Sequence, residues 1–220
     1  MRRFLYSKIE EGCVLAGTVL DNVRIQAVHI SGMLIKSEIA KSVEFDPVND
    51  DYGNYVQQTA DGGYIIAGVT LSFGNFNRLA YLIKTDGNGT QQWSKTYKVG
   101  DGFSVQQTSD GGFILAGHTE YSGNGYLDVY ILKTDINGDS LWTKTFGGAD
   151  ADEGFSVQQT NDGGYIITGV TVSFGTGDGD VFLVKTDAFG NEQWTKTYGE
   201  QGYDEGKCVQ QTNDGGYNIP

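Results

Sequence analysis

An all-β chain made of repeated four-stranded sheets is what this sequence predicts, and three observations predict it. The first is repetition. VQQTNDGGYIITG, Val157 to Gly169, recurs as VQQTADGGYIIAG from Val56 and as VQQTSDGGFILAG from Val105, and a fourth copy opens at Val209 as VQQTNDGGY. A period of about 50 residues points to solenoids or propellers. The second is composition. There are 33 Gly and only 2 Pro among 220 residues, with 13 Tyr and 11 Phe, which suits many short strands joined by tight turns. The third is patterning. Each period holds four strand-like runs, and no stretch has a convincing helical period; His29 to Ile39 is the one ambiguous segment.

The elements follow in the same order in each block. FSVQQT alternates apolar and polar residues and reads as the first strand. Ala, Ser or Asn then precedes Asp-Gly-Gly, a tight turn in which Gly takes a positive φ without steric cost. YIIAG or FILAG is the second strand. A Gly-rich loop follows, such as SFGTGDGD from Ser173. VYILKTD and VFLVKTD are third strands, and the turns DINGD from Asp135 and DAFGN from Asp187 close them. The fourth strand carries a tryptophan, as in LWTKTF and QWTKTY. Trp93, Trp142 and Trp194 keep step with the repeat, as do Lys84, Lys133 and Lys185, each opening a KTD.

These registers divide a single domain, 1–220, into blocks 56–104, 105–156 and 157–208, a partial block 209–220, and a worn copy over 4–55. In the worn copy EEGCVLAGT lies over DGGYIIAGV and FLYSK from Phe4 lies over YVQQT. The tryptophan is lost there, with Ile39 in its place. Terminal repeats are often atypical in this way. Four strands per unit at this period describe a blade of a β-propeller. One such sheet cannot bury both faces, so neighbouring blades cover each other, with the tryptophan as the wedge between them. The expected architecture is about four blades plus a partial fifth. Phe4 to Lys8 and Val209 to Thr212 copy the same first strand, so the ends duplicate each other. That favours an open arc of a larger propeller over a closed four-blade ring, and such an arc is expected to self-associate through its uncovered face.

The unit VQQT-DGGYIIAG, KTD-NG, W-KTYGG resembles the tandem repeat of secreted or surface β-propeller proteins of bacteria and archaea. The match is close over residues 51 to 217 and loose over 4 to 50. The turn-then-tryptophan portion, TDINGDSLW from Thr134, is similar to the docking turn of quinoprotein-type propellers, which implies fold and not cofactor. The resemblance implies an extracellular or cell-surface location and no catalytic residue, because the shared positions are those that form the blade. Lys8, Glu10 and Glu11 interrupt the apolar run that a signal peptide opening at Met1-Arg2-Arg3 would need.

Charge narrows the function. The net charge is −13, and binding to phosphate backbones needs Lys and Arg clusters, so nucleic acid is excluded as a partner. No run approaches the 18 apolar residues of a membrane helix, so no membrane span is expected. Cys13 and Cys208 sit at different repeat positions. A disulfide between them is possible, and two small buried thiols are the commoner arrangement.

The candidate sites are acidic. Loops after strands two and four share one end of a meander, so carboxylates gather on one rim. They are Asp50, Asp51, Asp150, Asp152, Glu153, Asp204 and Glu205 between blocks, and Asp128, Asp178 and Asp180 before third strands. Asp150, Asp152, Glu153, Asp178 and Asp180 form the candidate metal set, with Ca²⁺ as the ion because converging carboxylates are hard oxygen ligands. The competing reading is a turn-rich rim where Asp and Gly only make loops. Leu79 stands where the other blocks have Asp128 and Asp180. The Asp86, Asp135 and Asp187 turns faintly echo a calcium loop but lack its closing Glu. The Gln pairs 57–58, 106–107, 158–159 and 210–211 suit either a polar ligand such as a glycan or, more simply, the satisfaction of backbone groups. No nucleophile elbow, P-loop or dinucleotide fingerprint appears.

The expected function is therefore a non-enzymatic secreted or surface propeller whose loops bind a polysaccharide or a surface protein. The alternatives are a polysaccharide-active or quinoprotein-like enzyme, or a purely structural module of a longer exported protein.

Overall fold

The computed structural model describes residues 18–20, 23–25, 51–71, 78–98, 100–120, 123 and 125–220. The worn first strand at Phe4, the segment His29 to Ile39, Asp50 and Cys13 lie outside the described residues. The chain divides into two compact units, Met1–Val105 and Gln106–Pro220, and each is taken by itself. Among the described residues there are only strands and turns, and no helix is long and apolar enough to cross a membrane.

In the first unit, β3 (Asp51–Gln58), β4 (Tyr64–Thr70), β5 (Leu79–Thr85) and β6 (Gln91–Tyr97) form an antiparallel meander. These are the four strands that the repeat predicts. A short hairpin of β1 (Thr18–Leu20) and β2 (Val23–Ile25) extends the sheet, with β2 parallel to β3 through Arg24↔Tyr52 and Ile25↔Gly53. The antiparallel repeat does not predict that parallel pair; the hairpin takes up the open edge of β3.

The second sheet has the order β10-β9-β8-β7, from β7 (Asp101–Gln107), which runs through the division, β8 (Phe113–Thr119), β9 (Asp128–Thr134) and β10 (Ser140–Phe146). The third is β11 (Asp152–Gln159), β12 (Tyr165–Thr171), β13 (Asp180–Thr186) and β14 (Glu192–Tyr198). A two-stranded hairpin, β15 (Gln210–Gln211) with β16 (Tyr217–Asn218), follows.

Second and third strands are buried at nearly every residue, β12 throughout and β13 at all but the half-buried Val181. Their apolar runs are continuous because both faces are covered. On one face of the third sheet, Val157, Tyr165, Ile167, Phe182 and Val184 pack on Ile114, Ala116, Val129, Ile131 and Phe146 of the second. On the other face, Ile166, Leu183 and Trp194 meet Val209, Tyr217 and Ile219. Each such side chain contributes about 1.5–3 kcal/mol when fully buried.

Trp93, Trp142 and Trp194 hold one register, opposite Lys84, Lys133 and Lys185. They are half-buried and not enclosed, because fourth strands lie at the outer edge of their sheets. Trp142 meets Tyr165 edge-on at 5.9 Å, and Trp194 meets Tyr217 at the same distance.

The Asp-Gly-Gly turns behave as their sequence requires. Gly163 N–H donates to Thr160 O, Thr160 N–H donates to Gly164 O, and Gly163 has φ 82°. That is a three-residue hairpin loop with glycine in the left-handed region. The second glycine is needed for a different reason: a Cβ on Gly164 would fall 2.1 Å from Thr186 O and 2.7 Å from Lys185 Nζ.

Candidate functional site

A meander places the loops after second and fourth strands at one end. In the second unit these loops are tied together. Leu127 bridges Ala151 and Gly179 bridges Tyr203, while Asp152 N–H donates to Leu127 O and Asp204 N–H donates to Gly179 O. Val172 N–H donates to Ala151 O, and Asp150 N–H to Ser173 Oγ. The described parts of these loops are thus bonded to one another. On them Tyr126 is 75 % exposed, Tyr203 57 % and Phe174 46 %.

The five carboxylates of the predicted metal set do not converge. Asp150 and Asp178 are exposed on loops. Glu153 faces away from Asp152, as neighbours on a strand do, and forms an ion-pair contact with His118 at 3.1 Å. Its carboxyl is held below the ordinary range by the His118 imidazole, against the opposing effect of burial. Among the described residues no three of His, Cys, Asp or Glu gather as a metal group.

The acidic side chains meet instead in twos, each joining the start of a third strand to the start of the next first strand. A Cβ on Gly147 would fall 2.1 Å from Asp128 Oδ1 and 2.6 Å from Asp152 Oδ2. One repeat later, a Cβ on Gly199 would fall 2.2 Å from Asp180 Oδ1 and 2.9 Å from Asp204 Oδ2. Asp128, Asp152 and Asp180 are buried and Asp204 is half-buried. Asp152 Oδ2 accepts from Gly148 N–H at 2.8 Å and from Ser173 Oγ at 2.7 Å. Asp128 Oδ2 accepts from Gly125 N–H, Asp180 Oδ2 from Thr176 N–H, and Asp204 Oδ2 from Glu200 N–H. In the first unit the same place is built differently. Leu79 opens β5, and Arg78 beside it makes a forked ion pair with Asp101, which opens β7.

The opposite end is occupied by internal bonds. Lys84, Lys133 and Lys185 are buried, and their ammonium groups reach Asp61, Asp110 and Asp162 in the Asp-Gly-Gly turns at 2.8–2.9 Å. Each also donates to the carbonyl of the next threonine at 2.8 Å. A bulge in each fourth strand re-aims one more side chain. Gln92 and Gln193 thereby turn an amide oxygen to Lys84 and Lys185 at 3.1 Å, while Leu141 holds that position beside Lys133. The signal for this bridge was in the sequence as a constant 23-residue spacing from the turn Asp to the strand Lys.

The Asp86, Asp135 and Asp187 carboxylates accept backbone amides of their own turns, such as Asn88 and Thr90 N–H at 2.8 and 2.9 Å. Turn chemistry accounts for them. The Gln pairs likewise satisfy backbone groups. Gln159 N–H donates to Gln106 Oε1 at 2.5 Å while Ser109 N–H donates to Gln159 Oε1 at 2.8 Å, and Gln211, Gln158 and Asn161 repeat the stitch. Cys208 is disulfide-bonded and half-buried, which corrects the expectation of a small buried free thiol.

Two cavities mark the third sheet. One of about 200 Å³ is lined by Phe174, Phe182, Thr195, Lys196 and Thr197. The other, about 510 Å³, lies among Val181, Leu183, Trp194, Tyr198, Tyr217 and Ile219. The chain matches no protein-family model and no curated protein.

Proposed function

We propose that this chain is a β-propeller-type binding module, secreted or displayed on a cell surface, whose loop-bearing end recognises a polysaccharide. The observation that carries the reading is the set of exposed aromatic rings, Tyr126, Phe174 and Tyr203, on three loops of one end of the second unit. Exposed rings in such a set are unusual without a partner to cover them. A sugar ring offers an apolar C–H face that stacks on an aromatic plane, and neighbouring carboxylates such as Asp150 and Asp178 accept from its hydroxyls. At the other end the Lys, Asp and Gln groups are consumed by internal bonds, and one exposed ring, Phe189, stands on the described turns there against three at the loop-bearing end. Stacked meander sheets with a half-buried tryptophan at each fourth strand support the propeller reading. Location outside the cell rests on the repeat resemblance.

The test is a carbohydrate array probed with the 220-residue chain and with a Tyr126→Ala/Phe174→Ala/Tyr203→Ala variant. Binding to neutral polysaccharides is expected, with a loss of at least about a hundredfold in the variant, in line with more than about 1 kcal/mol lost at each of the three anchoring rings. The melting temperature should fall only modestly, since Tyr126 and Tyr203 are mostly exposed and Phe174 gives up its contact with Phe182. Glycan binding that survives the triple substitution, or binding to surface proteins with none to glycans, overturns the assignment.

A further inference from the structure

We propose that the groove between the third sheet and the β15–β16 hairpin is a strand-binding site. Its occupant is an extended segment of a partner protein with the pattern that third strands carry here: aromatic, any residue, aliphatic, Lys, Thr. Tyr81 to Thr85, Tyr130 to Thr134 and Phe182 to Thr186 have that pattern. Three observations lead there, and the complete repeats supply the comparison for each.

The first is the groove itself. Its volume is about 510 Å³; Val181, Leu183, Trp194 and Tyr198 line it from the third sheet, and Tyr217 and Ile219 from the hairpin. The four residues of the third sheet stand one repeat on from Val129, Ile131, Trp142 and Phe146 of the second. Those four are covered by Tyr165 and Ile167 of a second strand together with Phe182 and Val184 of a third. Tyr217 and Ile219 take the places of Tyr165 and Ile167, so the hairpin supplies the second-strand half of that cover. Exposure records the difference: Phe146 is 8 % exposed and Tyr198 is 53 %.

The second is backbone. β12 lies between β11 and β13, whereas β16 pairs with β15 in a sheet of two strands. An edge of this kind presents N–H and C=O groups to an added strand. A Cβ on Gly164 would fall 2.1 Å from Thr186 O of the neighbouring third strand. A Cβ on Gly216, one repeat later, would meet only its own turn, Thr212 Oγ1 at 3.1 Å and Asp214 Oδ1 at 3.3 Å. The space that a third strand fills beside Gly164 is open beside Gly216.

The third is charge. Asp61, Asp110 and Asp162 each take the lysine of a third strand at 2.8–2.9 Å. Asp214 holds the same place in the last turn and accepts from Thr212 Oγ1 and Gly216 N–H as its equivalents do. No lysine or arginine pairs with it among the described residues. A strand with lysine at the third-strand place supplies that charge. The repeat also sets the register. Tyr165 lies opposite Thr186, Ile166 opposite Lys185 and Ile167 opposite Val184. The bound segment therefore runs antiparallel to β16, with its Thr opposite Tyr217, its Lys opposite Asn218 and its aliphatic residue opposite Ile219. Backbone pairing supplies affinity, while the groove and Asp214 select the side chains. The inference does not depend on what the exposed aromatic rings bind.

The experiment titrates the 220-residue chain into a fluorescein-labelled synthetic peptide with the sequence of residues 178–188, DGDVFLVKTDA, and follows anisotropy. Saturable binding of one peptide per chain is expected, weakened more than about tenfold when Ser replaces both Phe182 and Val184 of the peptide. Tyr198→Asp in the chain should weaken it as much, because it places a charge in the groove. Asp214→Asn keeps the turn oxygen and removes the charge. It should weaken binding about two- to fivefold, the range for an ion pair near the surface. A peptide with Lys185→Met should then bind that variant no more weakly, since the two substitutions remove one interaction. Both chain variants alter exposed side chains and should melt as cooperatively as the parent. A Kd weaker than about 1 mM for the parent chain overturns the proposal, and so does binding that Tyr198→Asp and Asp214→Asn leave unchanged. A dimer of the chain that Tyr198→Asp dissociates and the peptide does not would make a second copy the occupant, and overturns it too.

Discussion

Lysine 133 and its equivalents decide how the repeat is held at the scale of single residues. An ammonium group 4 % exposed must be fully bonded, because an unpaired buried charge is strongly unfavourable. Lys185 has Asp162, Thr186 O and Gln193 Oε1; Lys133 has Asp110 and Thr134 O, with Leu141 at the third place. Asp110→Ala is therefore expected to cost more stability than Asp162→Ala, by about 1 kcal/mol, the net worth of a hydrogen bond that remains in one case only. Urea denaturation of the two variants measures the difference, and equal midpoints would sink the argument. The pH dependence has the matching sign. Asp162 is lowered from 3.8 to about 2 by Thr160 and then Lys185. Asp61 is lowered to about 2 by Lys84 and then Thr59. For Asp110, burial pushes upward, but Thr108 and Lys133 outweigh it and also bring it to about 2. A depressed carboxylate contributes stability that is complete above about pH 4 and is lost as pH falls through about 2. More than half of each side chain is exposed, so solvent reduces the size of the effect.

Element scale is where the sequence was most legible and also where it stopped. The second and third strands were readable because sheets covered on both faces need unbroken apolar runs, as in YIITG and VFLVK. The turns were readable because a positive φ at Gly163 admits little else. The rim was half readable. The shared rim predicts converging carboxylates, but the set chosen on it mixes Asp152 with Glu153, which sit on opposite faces of β11. Asp128 and Asp204 lie on the same rim and crowd Gly147 beside Asp152 and Gly199 beside Asp180, and a list of rim residues does not tell which two share a glycine. The fourth-strand bulge was not readable, since an extra residue opposite Lys185 leaves no mark in the apolar pattern. Tryptophan tests the element packing. Trp142 packs on the cluster shared by the second and third sheets and meets Tyr165 edge-on. Trp142→Ala should destabilise by about 3 kcal/mol, the low end for a core aromatic because the ring is half-buried. A loss under about 0.5 kcal/mol, the range of ordinary surface changes, would mean that the ring is not a wedge between these sheets.

At the scale of the whole molecule, the governing fact is that a meander sheet with two apolar faces is stable only when both are covered. The third sheet meets this need with unlike partners. One face has a full sheet against it, and Phe146, at the end of the second sheet's fourth strand, is 8 % exposed in that contact. The other face has the β15–β16 hairpin, and Tyr198, at the same strand position, is 53 % exposed. Val209, Tyr217 and Ile219 are thus the cover for Ile166, Leu183 and Trp194, and a groove of about 510 Å³ remains beside them. Deleting residues 209–220 should expose a continuous apolar patch on β12–β14. The expected results are a lower melting temperature, red-shifted tryptophan emission as Trp194 meets water, and association that grows with protein concentration in light scattering. A gentler variant, Val209→Asp, should act in the same direction by placing a charge against Ile166 and Leu183. If the truncated chain melts at the same temperature and stays monomeric, the hairpin is not what stabilises that face.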